Sequence, residues 1–274
     1  MSSPVSKLSS RRAEQFSRQL VLPEVGPKGQ ERLASARVLV VGCGGLGSPV
    51  IQYLACAGVG RLTLMDDDVV EVSNLNRQTL HRAADVGRLK AVRAAEWVNG
   101  LDAGCEAVGL TERFSTHNGR ELVREHGLVL DCTDGAGIKY LVNDACVLER
   151  RTLVHGAVTA FEGQLLVLAD GRGPCLRCAF PEVPDPSSVR SCQEAGVLGA
   201  ACGAVGSFMA LEALKLLCGF GRTGSGNYMS LDLLSSALST LPLAADPSCP
   251  ACGERPRVDA RTEEDYEFAC AVVR

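Results

Sequence analysis

Arg37-Val-Leu-Val-Val41 runs straight into Gly42-Cys-Gly44-Gly45-Leu-Gly47, and that junction constrains the fold more than any other feature of the chain. A short valine-rich run suits a strand buried on both faces. The glycine pattern after it lets the backbone turn tightly into a helix whose first N–H groups are free to hold phosphate. A second apolar stretch, Arg61–Met65, ends at Asp66, nineteen positions after Gly47, where a carboxylate is placed to hold a ribose. The unit reads as β-α-β, with Gly42, Gly44, Gly45, Gly47 and Asp66 as nucleotide-binding residues.

The alternation continues. Residues 46–57 read as a helix, as do 88–101, where Leu89, Val92, Ala95 and Val98 fall at helical spacing, and 118–125. Residues 107–111 and Leu128–Asp131 read as strands, the latter running into Cys-Thr-Asp134-Gly. Such an order predicts an α/β fold with a doubly wound, mainly parallel, Rossmann-like sheet whose ligands lie at the carboxyl ends of the strands. After about Arg150 the texture changes: 152–158, 163–168 and 227–233 suggest additional antiparallel strands, with 181–188 a mobile loop by composition. Residues 1–12 read as a disordered leader. The span 13–253 reads as a single domain, with a nucleotide-binding half at about 13–150 and a second half at about 151–253. Residues 254–274 read as a polar tail.

Composition narrows the partners. With 46% hydrophobic and 22% charged residues the chain is ordinary globular material, and a formal net charge of −4 gives no basic field for nucleic acid. The N-terminus lacks the apolar core of a secretory signal. The apolar stretch 199–220 contains Glu212 and Lys215, which suits a buried helix better than a membrane span. Thirteen cysteines is an odd number, and Cys43, Cys56, Cys132, Cys146, Cys202 and Cys218 sit singly in apolar stretches as small core residues do. The expectation is a protein of the reducing cytoplasm, without membrane or nucleic-acid partner.

Four features carry the chemistry. Ser73-Asn74-Leu-Asn76-Arg77-Gln78 follows the second strand, and Arg77, with Lys90 downstream, points to charge stabilisation during phosphate chemistry rather than to hydride transfer. Asp134 fits two roles, capping the next helix or holding Mg²⁺ beside phosphates. Cys175-Leu-Arg-Cys178 and Cys249-Pro-Ala-Cys252 form two knuckles separated by 70 residues, whose four thiolates satisfy tetrahedral Zn²⁺ and close its shell, a structural site; two redox dithiols or coincidence are the alternatives. Cys192, after a Pro/Ser loop and beside Arg190, has surroundings that lower a thiol pKa, against the reading of a spectator thiol. His81, His117, His126 and His155 show no ligand spacing and receive no catalytic role.

Together, Phe16-Ser-Arg18-Gln19, the glycine loop, Asp66-Asp-Asp68, Ser73 to Gln78, Asp131-Cys-Thr-Asp134, the stretch 156–163 and the two knuckles resemble the E1-like adenylyltransferases of the ThiF, MoeB and HesA group, in the family's order and over about 15–253. The resemblance implies ATP and Mg²⁺, and as substrate a ubiquitin-like sulfur-carrier protein ending in Gly-Gly, whose terminal carboxylate attacks the α-phosphate to give a carboxyl adenylate and pyrophosphate. It implies that Asp66 binds the ribose, Arg77 and Lys90 the phosphates, and Asp134 the Mg²⁺, with Asn74 and Asp68 lining the pocket. It also implies that Arg18 reaches the site of a neighbouring subunit in a homodimer, and that Cys192 matches a cysteine which in some members links covalently to the carrier. The last residues resemble the linker that in larger members leads to a rhodanese-like domain. None follows here, so a separate sulfur donor, a rhodanese or a cysteine desulfurase, is expected. An NAD-dependent oxidoreductase would explain the loop and Asp66 but not Arg77, Lys90, Arg18 or the knuckles. A non-catalytic adaptor would not need the full set of charged residues.

Overall fold

The computed structural model describes residues 10–184 and 195–267. Three helices, α1 (Ser10–Gln15), α2 (Ser17–Leu20) and α3 (Gly26–Ser35), precede β1 (Arg37–Val41), α4 (Gly47–Cys56) and β2 (Arg61–Met65). Next come α5 (Lys90–Gly100), β3 (Glu106–Leu110), α6 (Gly119–Arg124), β4 (Leu128–Asp131) and α7 (Ala136–Leu148). The second half holds β5 (Thr152–Thr159), β6 (Glu162–Leu168), α8 (Leu176–Ala179), a long helix at Gly199–Cys218, β7 (Asn227–Asp232), β8 (Ala237–Pro242) and a short helix at Glu264–Glu267.

All eight strands join one sheet in the order β3-β2-β1-β4-β5-β6-β7-β8. Pairing is parallel from β3 through to β5 and antiparallel from β5 to β8. Strand order reverses between β1 and β4, so the crevice at the carboxyl end of these two strands is where a doubly wound sheet receives its ligand. Side chains alternate between two cores. Val38, Val40, Leu62, Leu64, Leu128 and Leu130 pack on one face with α4, α5 and the long helix, while Leu39, Val41, Val129 and Leu153 pack on the other with α7. Burial on both faces is why β1 and β4 read as unbroken apolar runs.

The long helix lies across α4, β5 and β6. Its approach is close because glycines leave room for larger side chains opposite them: a side chain at Gly206 would collide with Pro49, one at Gly156 with Met209 and one at Gly163 with Val205. It ends at Gly219, whose left-handed φ of 71° lets its N–H bond the Lys215 carbonyl at 2.8 Å. It is the one described helix of membrane-spanning length and hydropathy, and half of it is covered by the rest of the molecule, as expected for a core helix.

Several elements differ from the sequence reading. Helix α7 and strand β8 have no counterpart in it. Ser10 to Arg12, read as part of a disordered leader, are helical, and the rest of that leader lies outside the described residues. Residues 185–188 of the expected loop also lie outside them. Part of the expected polar tail is packed down, with Val258 and Tyr266 buried. Cys56 is a correction: it is exposed, because it occupies the last turn of α4 on the face turned from the sheet, whereas Cys43, Cys132, Cys146, Cys202 and Cys218 are buried as expected.

Candidate functional site

The glycine loop closes on the neighbouring strand ends. Gly42 takes φ +97°, and a Cβ there would stand 2.7 Å from the Cys132 carbonyl oxygen beyond β4; a side chain at Gly47 would collide with the Gly42 carbonyl. Only glycine meets both conditions. The loop therefore sits in the crevice between β1 and β4 and delivers the chain into α4. Asp66, just past β2, is fixed from two sides: its Oδ2 accepts the Cys43 N–H at 2.8 Å and its Oδ1 the Asp68 N–H at 3.0 Å. Burial raises the Asp66 carboxyl above its ordinary pKa, against the pull of Lys90 and of these two N–H groups.

Lys90 opens α5 and is buried, its Nζ 2.7 Å from Oδ2 of the exposed Asp68. Burial pulls the ammonium down, but the charges of Asp66, Asp68 and Asp134 outweigh it and raise its pKa. Lys90 is thus a firmly protonated cation held among three carboxylates. The carboxyl groups of Asp66, Asp67 and Asp68 also cluster within 4.8 Å of one another. Asp67 was not singled out from sequence, although its place in the Asp-Asp-Asp run was the available signal.

The turn at 73–78 roofs the loop. Arg77 packs its Cα and Cβ against Gly199 at the start of the long helix, and its Cγ lies 3.7 Å from where a Cβ on Gly45 would stand; Gln78 Nε2 lies 3.4 Å from the same point on Gly44. The Arg77 Nη1 donates to the Ser73 carbonyl at 2.8 Å and to Asn76 Oδ1 at 3.1 Å. Asn74 is buried, and its Oδ1 accepts the Glu71 N–H at 3.1 Å, so it holds the turn at Val72–Asn74. Asp134 is exposed at the start of the connection from β4 to α7. Gly42, Gly44, Gly45, Gly47, Asp66, Asp68, Asn74, Arg77, Lys90 and Asp134 thus gather around one sheet end.

Two predicted residues do not join them. Arg18 is exposed on α2, which is anchored by Phe16 and Gln19. Phe16 packs where a Cβ on Gly58 would stand, and Gln19 Nε2 donates to the Ala57 carbonyl at 3.1 Å. Gly58 follows α4 and the glycine loop precedes it, so about 15 Å of helix separates the arm from its own loop. Cys192 lies outside the described residues. Of the histidines, His81 bonds the Cys43 carbonyl at 3.1 Å, His126 bonds Thr63 at 2.7 Å and His155 bonds Asp131 at 2.7 Å.

The knuckles meet. Cys175 and Cys249 sulfurs are 3.7 Å apart, Cys178 and Cys252 sulfurs 3.4 Å, and all four lie within 4.8 Å. Four thiolates at the ordinary Zn–S length in a tetrahedron would stand about 3.8 Å apart, so the donor set fits Zn²⁺ with no open position. Inside the first knuckle Arg177 is fully buried, stacks 4.8 Å over the Tyr140 ring, and donates through Nε and Nη2 to Asp144 at 2.8 Å and 2.7 Å. Tyr266 adds its hydroxyl to the same carboxylate at 2.8 Å.

Known proteins share this architecture. The chain matches the ThiF family over residues 16–251. It is 48% identical to the adenylyltransferase and sulfurtransferase MOCS3 of Sus scrofa over 97% of this chain and 58% of that protein. It is 44% identical to the sulfur carrier protein adenylyltransferase of Thermus thermophilus over 94% of this chain and 97% of that protein. The chain thus spans little more than half the length of the MOCS3 relatives. Among solved structures, E. coli MccB with ATP superposes with a TM-score of 0.79 at 18% identity, covering 92% of this chain and 77% of MccB, a likeness of fold.

Proposed function

The chain belongs to the ThiF family, and from that membership we propose that it is an ATP-dependent adenylyltransferase activating the C-terminal Gly-Gly carboxylate of a ubiquitin-like sulfur-carrier protein. The observation that carries the reading is the convergence of a lysine, an arginine and a carboxylate on one glycine loop: Lys90, Arg77 and Asp66 meet at the carboxyl ends of β1 and β2. Identity to a sulfur carrier protein adenylyltransferase over nearly the whole of both chains supports it.

In this reading Asp66 accepts from the ribose and the first turn of α4 faces the phosphates. The carrier's terminal carboxylate, ionised at pH 7, attacks the α-phosphorus; the bond to the bridging oxygen breaks and pyrophosphate leaves with that electron pair. No general base is needed. Lys90 and Arg77 stabilise the charge that develops on the phosphate oxygens, so catalysis is positioning and charge neutralisation. Asp134 is the ligand for Mg²⁺, which supplies further neutralisation when bound, and Asp68 and Asn74 shape the pocket wall. Zn²⁺ on Cys175, Cys178, Cys249 and Cys252 is structural.

Arg18, remote from its own loop, serves the site of a second copy in a homodimer. Residues 13–253 form one adenylation domain, its half beyond about 151 taking the carrier; a separate protein donates the sulfur, with Cys192 the thiol available for its transfer. A reducing cytoplasm is the compartment this reading implies, where a cluster of four cysteines serves as a metal site rather than as disulfides. The test is exchange of labelled pyrophosphate into ATP with a panel of Gly-Gly-ended carriers. Exchange together with a carrier mass raised by AMP is expected. ATP binding without exchange against every carrier would overturn the carrier assignment.

A further inference from the structure

Beneath the site lies a buried ionic cluster that none of these roles uses. Asp131 closes β4, its backbone in register with Val41 of β1 on one side and His155 of β5 on the other. Its carboxylate is fully buried and bonded on both oxygens. Oδ1 accepts the Thr133 N–H at 3.0 Å and the Thr133 hydroxyl at 2.7 Å. Oδ2 accepts His155 Nδ1–H at 2.7 Å and lies 3.5 Å from Lys139 Nζ, which also donates to the Gly156 carbonyl at 2.8 Å.

Apolar residues of the same volume would join these strand ends as well or better, so a buried ion cluster is a poor device for stability alone. What it fixes is geometry. A carboxylate gripping both polar hydrogens of Thr133 sets the turn from Cys132 to Asp134. That turn places the Cys132 carbonyl against Gly42, 2.7 Å from where a Cβ there would stand, and leaves Asp134 exposed at the mouth of the crevice. Burial opposes the charge on Asp131, but Lys139, His155 and Thr133 outweigh it and hold the carboxyl well below the usual range, so the grip persists at neutral pH. His155, pushed down by burial, stays neutral and donates.

We propose that Asp131, with Lys139 and His155 behind it, is a positioning residue that keeps the Cys132–Asp134 turn in register with the glycine loop, so that Asp134 and the loop meet the nucleotide together. The inference rests on the adenylation reading, and its test separates the two. Asp131→Asn strands Lys139 and threatens folding, so Thr133→Val is the primary variant: it keeps the shape, the backbone bond and the buried cluster, and removes only the hydroxyl. The expected result is a fall in kcat for pyrophosphate exchange on the order of tenfold, weaker ATP binding by calorimetry, and an unchanged carrier KM. The melting temperature should move by less than about 3 °C, and Thr133→Ser should restore the rate. In a folded Asp131→Asn protein, adding Thr133→Val should cost little more, as for groups acting as one unit. Wild-type rate and ATP affinity in Thr133→Val, or a loss that Thr133→Ser does not recover, would overturn the positioning role while the adenylation reading stands. An unmutated protein that neither binds ATP nor exchanges pyrophosphate would overturn both.

Discussion

The two polar regions of the molecule are built on opposite principles. At the cysteine knuckles everything is closed: four sulfurs face one another, and Asp144 is shared by Arg177, Tyr266 and the Asn143 side chain, which donates to it at 3.0 Å. At the glycine loop, groups are left open. Asp134 is exposed, and the buried Gln78 Oε1 and His81 Nδ1 have no hydrogen-bond partner among the described residues. A region that satisfies its own polar groups holds the fold, and one that leaves them unmet is shaped for something that arrives later. Stability should therefore be sensitive at the first and activity at the second.

The sharpest way to break that contrast is Cys249→Ser. Metal binding to such a site is folding free energy, so the variant should lose zinc and about 5 kcal/mol or more of stability, read by elemental analysis and chemical denaturation. An unmutated protein without stoichiometric zinc would refute it. Next, Asp144→Ala should cost about 3–5 kcal/mol because it leaves the guanidinium of Arg177 buried and unpaired; a cost below about 1 kcal/mol would show that water already reaches the knuckle. Arg77→Ala sharpens the contrast from the other side. Its half-exposed side chain lies over the loop and, among the described residues, bonds only its own turn, so stability should hold. Pyrophosphate exchange should fall 10²- to 10³-fold, about 3–4 kcal/mol of transition-state stabilisation. A melt lowered in step with activity would mean that Arg77 is structural.

The open region was far more legible in the sequence than the packing that surrounds the closed one. Gly42 and Gly47 are dictated by the close approach of backbone at the loop, and Asp66, Arg77 and Lys90 follow it at spacings that the chain order alone displays. The knuckles were legible for the same reason. What binds the knuckles to the domain was not. In α7, Lys139, Asn143 and Asp144 are polar yet buried, turned toward Gly156, Leu176 and Arg177, so the helix has no polar face for periodicity to detect. Strand β8 failed for the opposite reason: all six residues are exposed, so no alternation marks it. The distance of Arg18 from its own loop depends on Phe16 docking beyond the far end of α4, a contact that no spacing encodes.

Tyr266→Phe has the smallest expected effect and tests how far the closed region extends along the chain. The ring is buried near α7 and Arg177, and its hydroxyl reaches Asp144 at 2.8 Å. Removing only that hydroxyl keeps the packing and leaves Asp144 with its bonds to Arg177, so the cost should be about 1–2 kcal/mol, the usual range for a hydrogen bond to a charged group. Burial and the neighbouring Asp144 raise the phenol pKa, so the hydroxyl stays protonated and the cost should be constant from pH 6 to 9 by chemical denaturation. Nearby, Glu263 Oε2 accepts both the N–H and the hydroxyl of Thr116, at 2.9 Å and 2.7 Å, so the segment has a second tether. If Tyr266→Phe costs nothing while Glu263→Gln does, the segment is held at its surface contact and the closed region ends at Arg177. If both cost stability and neither changes pyrophosphate exchange, the division between a self-satisfied region and an open one runs through the terminal segment as well.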